Sequence, residues 1–182
     1  MIRVLPIFLL FVLGCNRTVD IREVKLTTAN GDIANMDSIL HSRNHTTFLF
    51  FSPECPVCLI SIDELKRINA THQSLVYVYP GSYYDARRIL DFHKEYKIDA
   101  LALMDTANVL VNILGAQVTP HAIVTDKDGN KLYTGAIDDR STDFGTKKVV
   151  VTRRYLSEAL ENLASGKPVS IDSTEAFGCY IE

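Results

Sequence analysis

Tryptophan is absent from this chain of 182 residues. So is any apolar run of membrane-spanning length: residues 4–13 are apolar, but about twenty such residues are needed to cross a bilayer comfortably. Neither sign of charge dominates, with 19 basic and 22 acidic side chains for a net −3, so no general basic surface points to nucleic acid. There is no internal repeat and no low-complexity segment. Cysteine is sparse, at four, and each has to be read by its own surroundings. What is abundant is apolar character: 47% of the residues are hydrophobic, enough for one well-buried domain.

Arg3 followed by the apolar run and then Gly14-Cys15 fits a secretory leader. Val12-Leu13-Gly14-Cys15 resembles the lipobox of bacterial lipoproteins. That resemblance implies residues 1–14 as a signal peptide, cleavage before Cys15, lipid on Cys15, a tether over 15–20, and a cell-envelope location facing the periplasm or the exterior. An ordinary signal peptide or a buried strand is the plainer alternative. The sequons at Asn16, Asn44 and Asn69 carry little meaning in a bacterial setting.

Three cysteines then remain. Cys55 and Cys58 form a Cys-x-x-Cys pair directly after the apolar run 46–51. Outside the cytosol such a pair is either a staple or a redox couple. A loop this short contributes little as a staple, because loop-closure entropy grows with loop length, so the redox reading is favoured. Pro56 suits the first helical position, where its missing N–H costs nothing, and this makes Cys55 the N-cap. There its sulfur faces unpaired N–H groups and the positive end of the helix dipole, which favour thiolate and make Cys55 the candidate nucleophile. Cys58, one turn on, heads a stripe with Ile62, Leu65 and Ile68 that should pack on a sheet. Its sheltered position suits the resolving role. A zinc site would need a second ligand pair at metal spacing; there is no other Cys-x-x-Cys, and His41 and His45, although separated by three residues, read as surface or half-buried. Glu54 adds a negative charge beside the nucleophile that should temper thiolate formation, unless it is simply solvated.

The rest of the chain reads as alternating elements. Residues 21–28 are strand-like and end at the Asn30-Gly31 turn; 33–42 have helical spacing; 46–51 form a buried strand; 56–70 are helical. A second buried strand at 75–79 stops at Pro80-Gly81. A helix over 85–96, with Ile89, Leu90, His93 and Tyr96 on one face, precedes a strand at 98–104 and a helix at 106–114. Strands at 121–125 and 131–134 flank a hairpin turn, and a long helix over 147–164 ends the domain. Alternation through the middle implies a parallel core with right-handed crossovers, closed by an antiparallel hairpin. The domain spans 21–164, and 165–182 is a cysteine-bearing tail.

Val118-Thr119-Pro120-His121 precedes an apolar strand. With 48–58, 118–135 and the intervening segment 84–104, it makes the chain similar to the thioredoxin-fold superfamily, in particular to its membrane-anchored thiol-disulfide oxidoreductase and redoxin group. The resemblance implies an α/β thioredoxin-like fold with a central mixed sheet flanked by helices and an extra αβ element. It implies that Pro120 is a cis-proline facing the cysteines and that the Thr119 backbone pairs with an extended substrate. A plain strand-entry proline is the alternative. The implied activity is disulfide exchange with exported protein thiols and disulfides through a redox-active Cys55–Cys58 disulfide, with no other cofactor and with a separate partner to reset the pair. Two departures stand out. Glu54 occupies the place of the tryptophan before the first cysteine, and Leu49 that of the buried aspartate which serves Cys58. His121 should fall near the pair, as proton shuttle, ligand or bystander. The other histidines, at 41, 45, 72 and 93, read as surface or half-buried. Cys179, together with 135–139 and Gly166-Lys167-Pro168, resembles a redoxin subgroup with a tail cysteine. It is either a third redox centre reaching Cys55, a free thiol, or a link to another chain. Two competing functions remain: a peroxiredoxin-like peroxidase built on Ser52 and Cys55, and a Cu(I) chaperone holding metal with Cys55, Cys58 and His121.

Overall fold

The computed structural model describes residues 19–143, 146–147 and 150–182; the leader and Cys15 lie outside the described residues. After a short 3-10 turn at Ile21–Glu23, the chain forms β1 (Lys25–Thr28), β2 (Ile33–Asn35), α1 (Met36–His41), β3 (Thr46–Phe50), α2 (Pro56–His72), β4 (Leu75–Pro80), α3 (Ala86–Tyr96) and β5 (Leu101–Asp105). There follow α4 (Val109–Leu114), β6 (Val118–Thr119), β7 (His121–Thr125), β8 (Lys131–Gly135), β9 (Ser141–Asp143), β10 (Thr146–Lys147), α5 (Tyr155–Ala164) and β11 (Cys179–Tyr180).

Seven strands make one mixed sheet in the order β2-β1-β5-β4-β3-β7-β8. The three central strands β3, β4 and β5 are parallel, and β7-β8 close the sheet antiparallel. Every residue of β3, β4 and β7 is buried, as expected of strands covered on both faces. Side chains alternate between the faces. Leu49, Phe51, Tyr77 and Tyr79 face a core shared with α2, α3 and α5, whereas Phe48, Phe50, Val76 and Val78 face one shared with α1 and α4. The α2 stripe is fully committed to the first core, with Cys58, Ile62, Leu65 and Ile68 all at 3% exposure or less. Burying each of the aliphatic members contributes about 1.5–3 kcal/mol, which fixes the start of α2 against the sheet. The segment α3-β5 is the extra αβ element, and β5 bridges β4 to β1.

Several expected elements differ. Residues 33–35 are a strand paired with β1, not the start of a helix; α1 begins only after Asn35, whose side chain caps the Asp37 N–H. The last helix starts at Tyr155, not 147. Upstream of it Asp139 takes the N–H groups of Thr152 and Arg153, and the β-branched run through Val151 and Thr152 disfavours helix. In α3, Leu90 points outward, and Phe92 takes the place expected of it. His93 is buried, with Nε2 2.8 Å from the Tyr79 hydroxyl, rather than half-exposed. The tail is not loose: Thr174 N–H donates to Thr134 O, Thr134 N–H donates to Asp172 O, and β11 pairs with β6.

Candidate functional site

The site is built where β3 hands over to α2. Cys55 is the N-cap in extended conformation, Pro56 occupies the first turn, and the Leu59 N–H bonds to Cys55 O at 3.1 Å. The Cys55 side chain does not cap the helix N–H groups. Its sulfur turns instead to the cis Thr119–Pro120 peptide, 3.1 Å from Thr119 O, to which the thiol form donates. Pro120, Val57, Ser61 and Phe177 line a small cleft beside it, so the proline sits against the first turn of α2.

The three thiols are brought together, and their acidities diverge. Cys55 is lowered to about 5, chiefly because the Cys58 thiol donates a hydrogen bond to its thiolate, with Cys179 adding a second donor. Cys58 is pushed well above the ordinary thiol range by burial first and by the hydrogen bond its thiol donates to Cys55 second. Cys179 rises to about 12 for the same two reasons. The arrangement therefore holds one thiolate between two protonated thiols. Cys179 Sγ lies 2.7 Å from Cys55 Sγ. The Ser52 N–H approaches Cys58 Sγ at 3.4 Å, and the Ser52 hydroxyl pairs with Tyr84 OH at 2.9 Å. A cavity of about 230 Å³ opens at this point, lined by Ser52, Glu54, Cys55, Tyr84, Thr119 and Cys179 among others. A larger one, about 510 Å³, lies between the far end of α2 and the start of β5 and contains no thiol.

No protein-family model matches the chain, and no curated protein matches it. Solved structures do. An uncharacterized conserved protein from Geobacillus kaustophilus superposes with a TM-score of 0.76 at 22% identity, covering 91% of this chain and 90% of that one. A secreted Mycobacterium tuberculosis disulfide oxidoreductase homologous to E. coli DsbE gives 0.55 at 17% identity, covering 76% and 95%. A thiol:disulfide interchange protein of the thioredoxin family from Chlorobium tepidum gives 0.52 at 18%, covering 65% and 85%.

The chain has a thioredoxin-like fold. Within that thioredoxin-like frame, Cys55, Cys58, Thr119, Pro120 and Cys179 converge, and His121 does not. His121 pairs with Phe50 across β3 and β7, and residues opposite one another share a face. Phe50 faces the α1/α4 core, so the imidazole points away from the thiols, and its Nε2 meets Thr134 Oγ1 at 3.0 Å. Period-2 alternation explains the error: if residue 120 faces the cysteines, residue 121 faces away. Burial, aided by Lys131, lowers His121 to about 4. Among the described residues no group of three or more His, Cys, Asp or Glu side chains could hold a metal ion, so the copper arrangement lacks its third ligand.

Glu54 is exposed at the cavity rim. At the aspartate position of the thioredoxin-like frame, Leu49 is buried with Cys58, and the side chains that respond to a Cys58 charge are phenols: Tyr77, Tyr79 and Tyr84. The sequence reading missed Tyr84 and Gly178. A Cβ on Gly178 would stand 2.0 Å from Thr119 O, so only glycine permits the tail to come this close. The glycine beside a cysteine near the C-terminus was the available signal.

Proposed function

We propose that this protein is an exported, lipid-anchored thiol-disulfide oxidoreductase that exchanges disulfides with protein substrates through Cys55 and Cys58. The observation that carries the reading is geometric: Cys55 is the N-cap of α2 with its Sγ 3.1 Å from Thr119 O at the cis Thr119–Pro120 peptide, and Cys58 lies fully buried one turn on. Hydrogen bonding lowers the first thiol's pKa and burial raises the second's. The Cys55 thiolate attacks one sulfur of a client disulfide, and the other departs as thiolate and takes up a proton. Cys58 then loses its proton to the solvent or the departing group and attacks Cys55 Sγ. The client leaves with both sulfurs reduced, and the protein keeps a Cys55–Cys58 disulfide. A redox partner resets it. Thr119 and the cis-proline offer the edge on which an extended client pairs. No cofactor beyond the cysteine pair is required.

Export and anchoring rest on the leader and Cys15. Among the described residues no helix is long and apolar enough to cross a membrane. Substituting Cys58→Ser together with Cys179→Ser, so that neither neighbouring thiol can resolve the bond, should stall a mixed disulfide on Cys55 that non-reducing gels and peptide mapping identify. A folded variant that captures nothing on Cys55, in cells or from a model disulfide peptide, would falsify the exchange reading. Cys15→Ala should release the protein from the membrane fraction.

A further inference from the structure

The edge on which a client is expected to pair already carries a strand. β11 runs antiparallel to β6 with Cys179 opposite Thr119 and Tyr180 opposite Val118, and the Ile181 N–H extends the ladder to Gln117 O at 3.0 Å. The strand is held on both sides of the sulfur contact. Before it, Thr174 joins β8 through its N–H to Thr134 O, and its Oγ1 accepts the Ala136 N–H at 2.9 Å. A Cβ on Gly135, whose φ is +146°, would collide with that threonine. After it, Asn108 Nδ2 donates to Glu182 O at 2.9 Å and Tyr83 OH donates to Glu182 Oε2 at 2.8 Å. The 2.7 Å approach of Cys179 to Cys55 is thus the product of a docked strand with a fixed register.

Building on the exchange reading above, we propose that the C-terminal strand is a tethered disulfide-exchange partner of Cys55, seated in the client's place and carrying Cys179 as a third thiol of the cycle. Once Cys55 has attacked a disulfide R–S–S–R′ and released R′S⁻, which is protonated, the protein holds Cys55–S–S–R. Cys179 gives up its proton and attacks Cys55 Sγ. The bond to R breaks, a Cys55–Cys179 disulfide forms, and RS⁻ leaves and takes a proton. Two protein thiols are oxidised, and one substrate disulfide is reduced to two thiols. Attack by Cys58 on Cys55 then moves the bond to Cys55–Cys58 and returns Cys179 to the thiol, without net oxidation. An extended peptide can pair with Thr119 only after β11 has left it, so the strand also sets which clients enter.

The test removes Cys58 and supplies one equivalent of 2-hydroxyethyl disulfide to the reduced, full-length Cys58→Ser protein, followed by acid quenching, intact mass and peptide mapping. The expected result is a protein lacking two hydrogens, a mapped Cys55–Cys179 bond, and two released equivalents of mercaptoethanol. The Cys58→Ser/Cys179→Ser double variant should keep the mercaptoethanol adduct on Cys55. If the single variant keeps that adduct as well, or forms any other pairing, the tethered-strand proposal is overturned while the exchange reading stands. If neither folded variant takes an adduct on Cys55, both fall. Cys58→Ala serves in place of Cys58→Ser should the latter fail to fold by circular dichroism.

Discussion

The start of α2 and the strand β11 deliver sulfur to the same point with unequal holding power. The helix end is fixed by a buried stripe of Cys58, Ile62, Leu65 and Ile68 running down one side of a 17-residue element. The strand is two residues long, its Tyr180 is 78% exposed, and it is held by a short ladder to β6 and by the partly buried Cys179 and Ile181 that touch the two cores. Apolar burial makes the first a permanent part of the fold, whereas short hydrogen-bonded pairings at a surface open at small cost. On the proposed exchange, a site assembled from one fixed and one releasable thiol can close on itself and still admit a client.

Breaking each holding element separately sharpens the contrast. Leu65→Ala, in the α2 stripe, should cost about 2–5 kcal/mol of global stability in denaturant unfolding, lowering the midpoint for every probe together. Gly178→Val should instead leave the midpoint nearly unchanged and expel β11. Cys55, 1% exposed in the docked form, should then react with iodoacetamide at least about tenfold faster, the factor that corresponds to about 1.4 kcal/mol of docking. A midpoint drop as large as that of Leu65→Ala would mean that the strand belongs to the core.

Acidity discriminates more finely. Because the thiolate is the reactive form, alkylation of Cys55 in Gly178→Val should rise through an acid-side midpoint and level off well below the ordinary thiol range. In the docked chain the midpoint should lie near 5. Removing the larger hydrogen-bond donor, by Cys58→Ala, should raise it more than Cys179→Ala does. The reverse order would show that the tail, not the helix pair, governs the thiolate.

The smallest effect on exchange is expected from His121→Ala, which should alter the rate by less than about twofold, since its one side-chain hydrogen bond to Thr134 is on the opposite sheet face and is worth about 1 kcal/mol to folding rather than to chemistry. Its signature is in stability against pH. The folded-state value near 4 lies below the ordinary 6.5, so the unfolded chain takes the proton first. The stability that the neutral imidazole provides is complete above pH 6.5 and is lost as pH falls toward 4. Denaturant midpoints across that window should fall less steeply in the variant.

The fixed region was legible in the sequence, whereas of the releasable one only the reach of Cys179 to Cys55 was raised, as one of three readings, and not the strand that carries it. An unbroken apolar run, a proline after the first cysteine and a helical stripe are signals that extend over many residues, and they place β3 and α2 within two residues of where they lie. Asp85 before an amphipathic segment likewise marks α3, where it accepts the Arg88 N–H at 2.8 Å. Two- and three-residue strands such as β2, β6 and β11 carry no periodicity, because their pairing is decided by partners distant in sequence. Ile33 happens to continue a helical spacing through Met36 and Leu40, which concealed the β1–β2 hairpin. The convergence of Cys179 on Cys55 spans 124 positions of chain and follows from tertiary register alone, with Gly178 as its local trace.

The phenols gathered around Cys58 have an optical consequence. With no indole in the chain, tyrosine dominates the ultraviolet emission, and Tyr77 and Tyr79 sit in the same core as this sulfur. Disulfides and thiolates quench tyrosine emission at short range. The redox state of the pair should therefore be readable from the unlabelled protein as a change in intrinsic brightness, in real time and without a coupled assay.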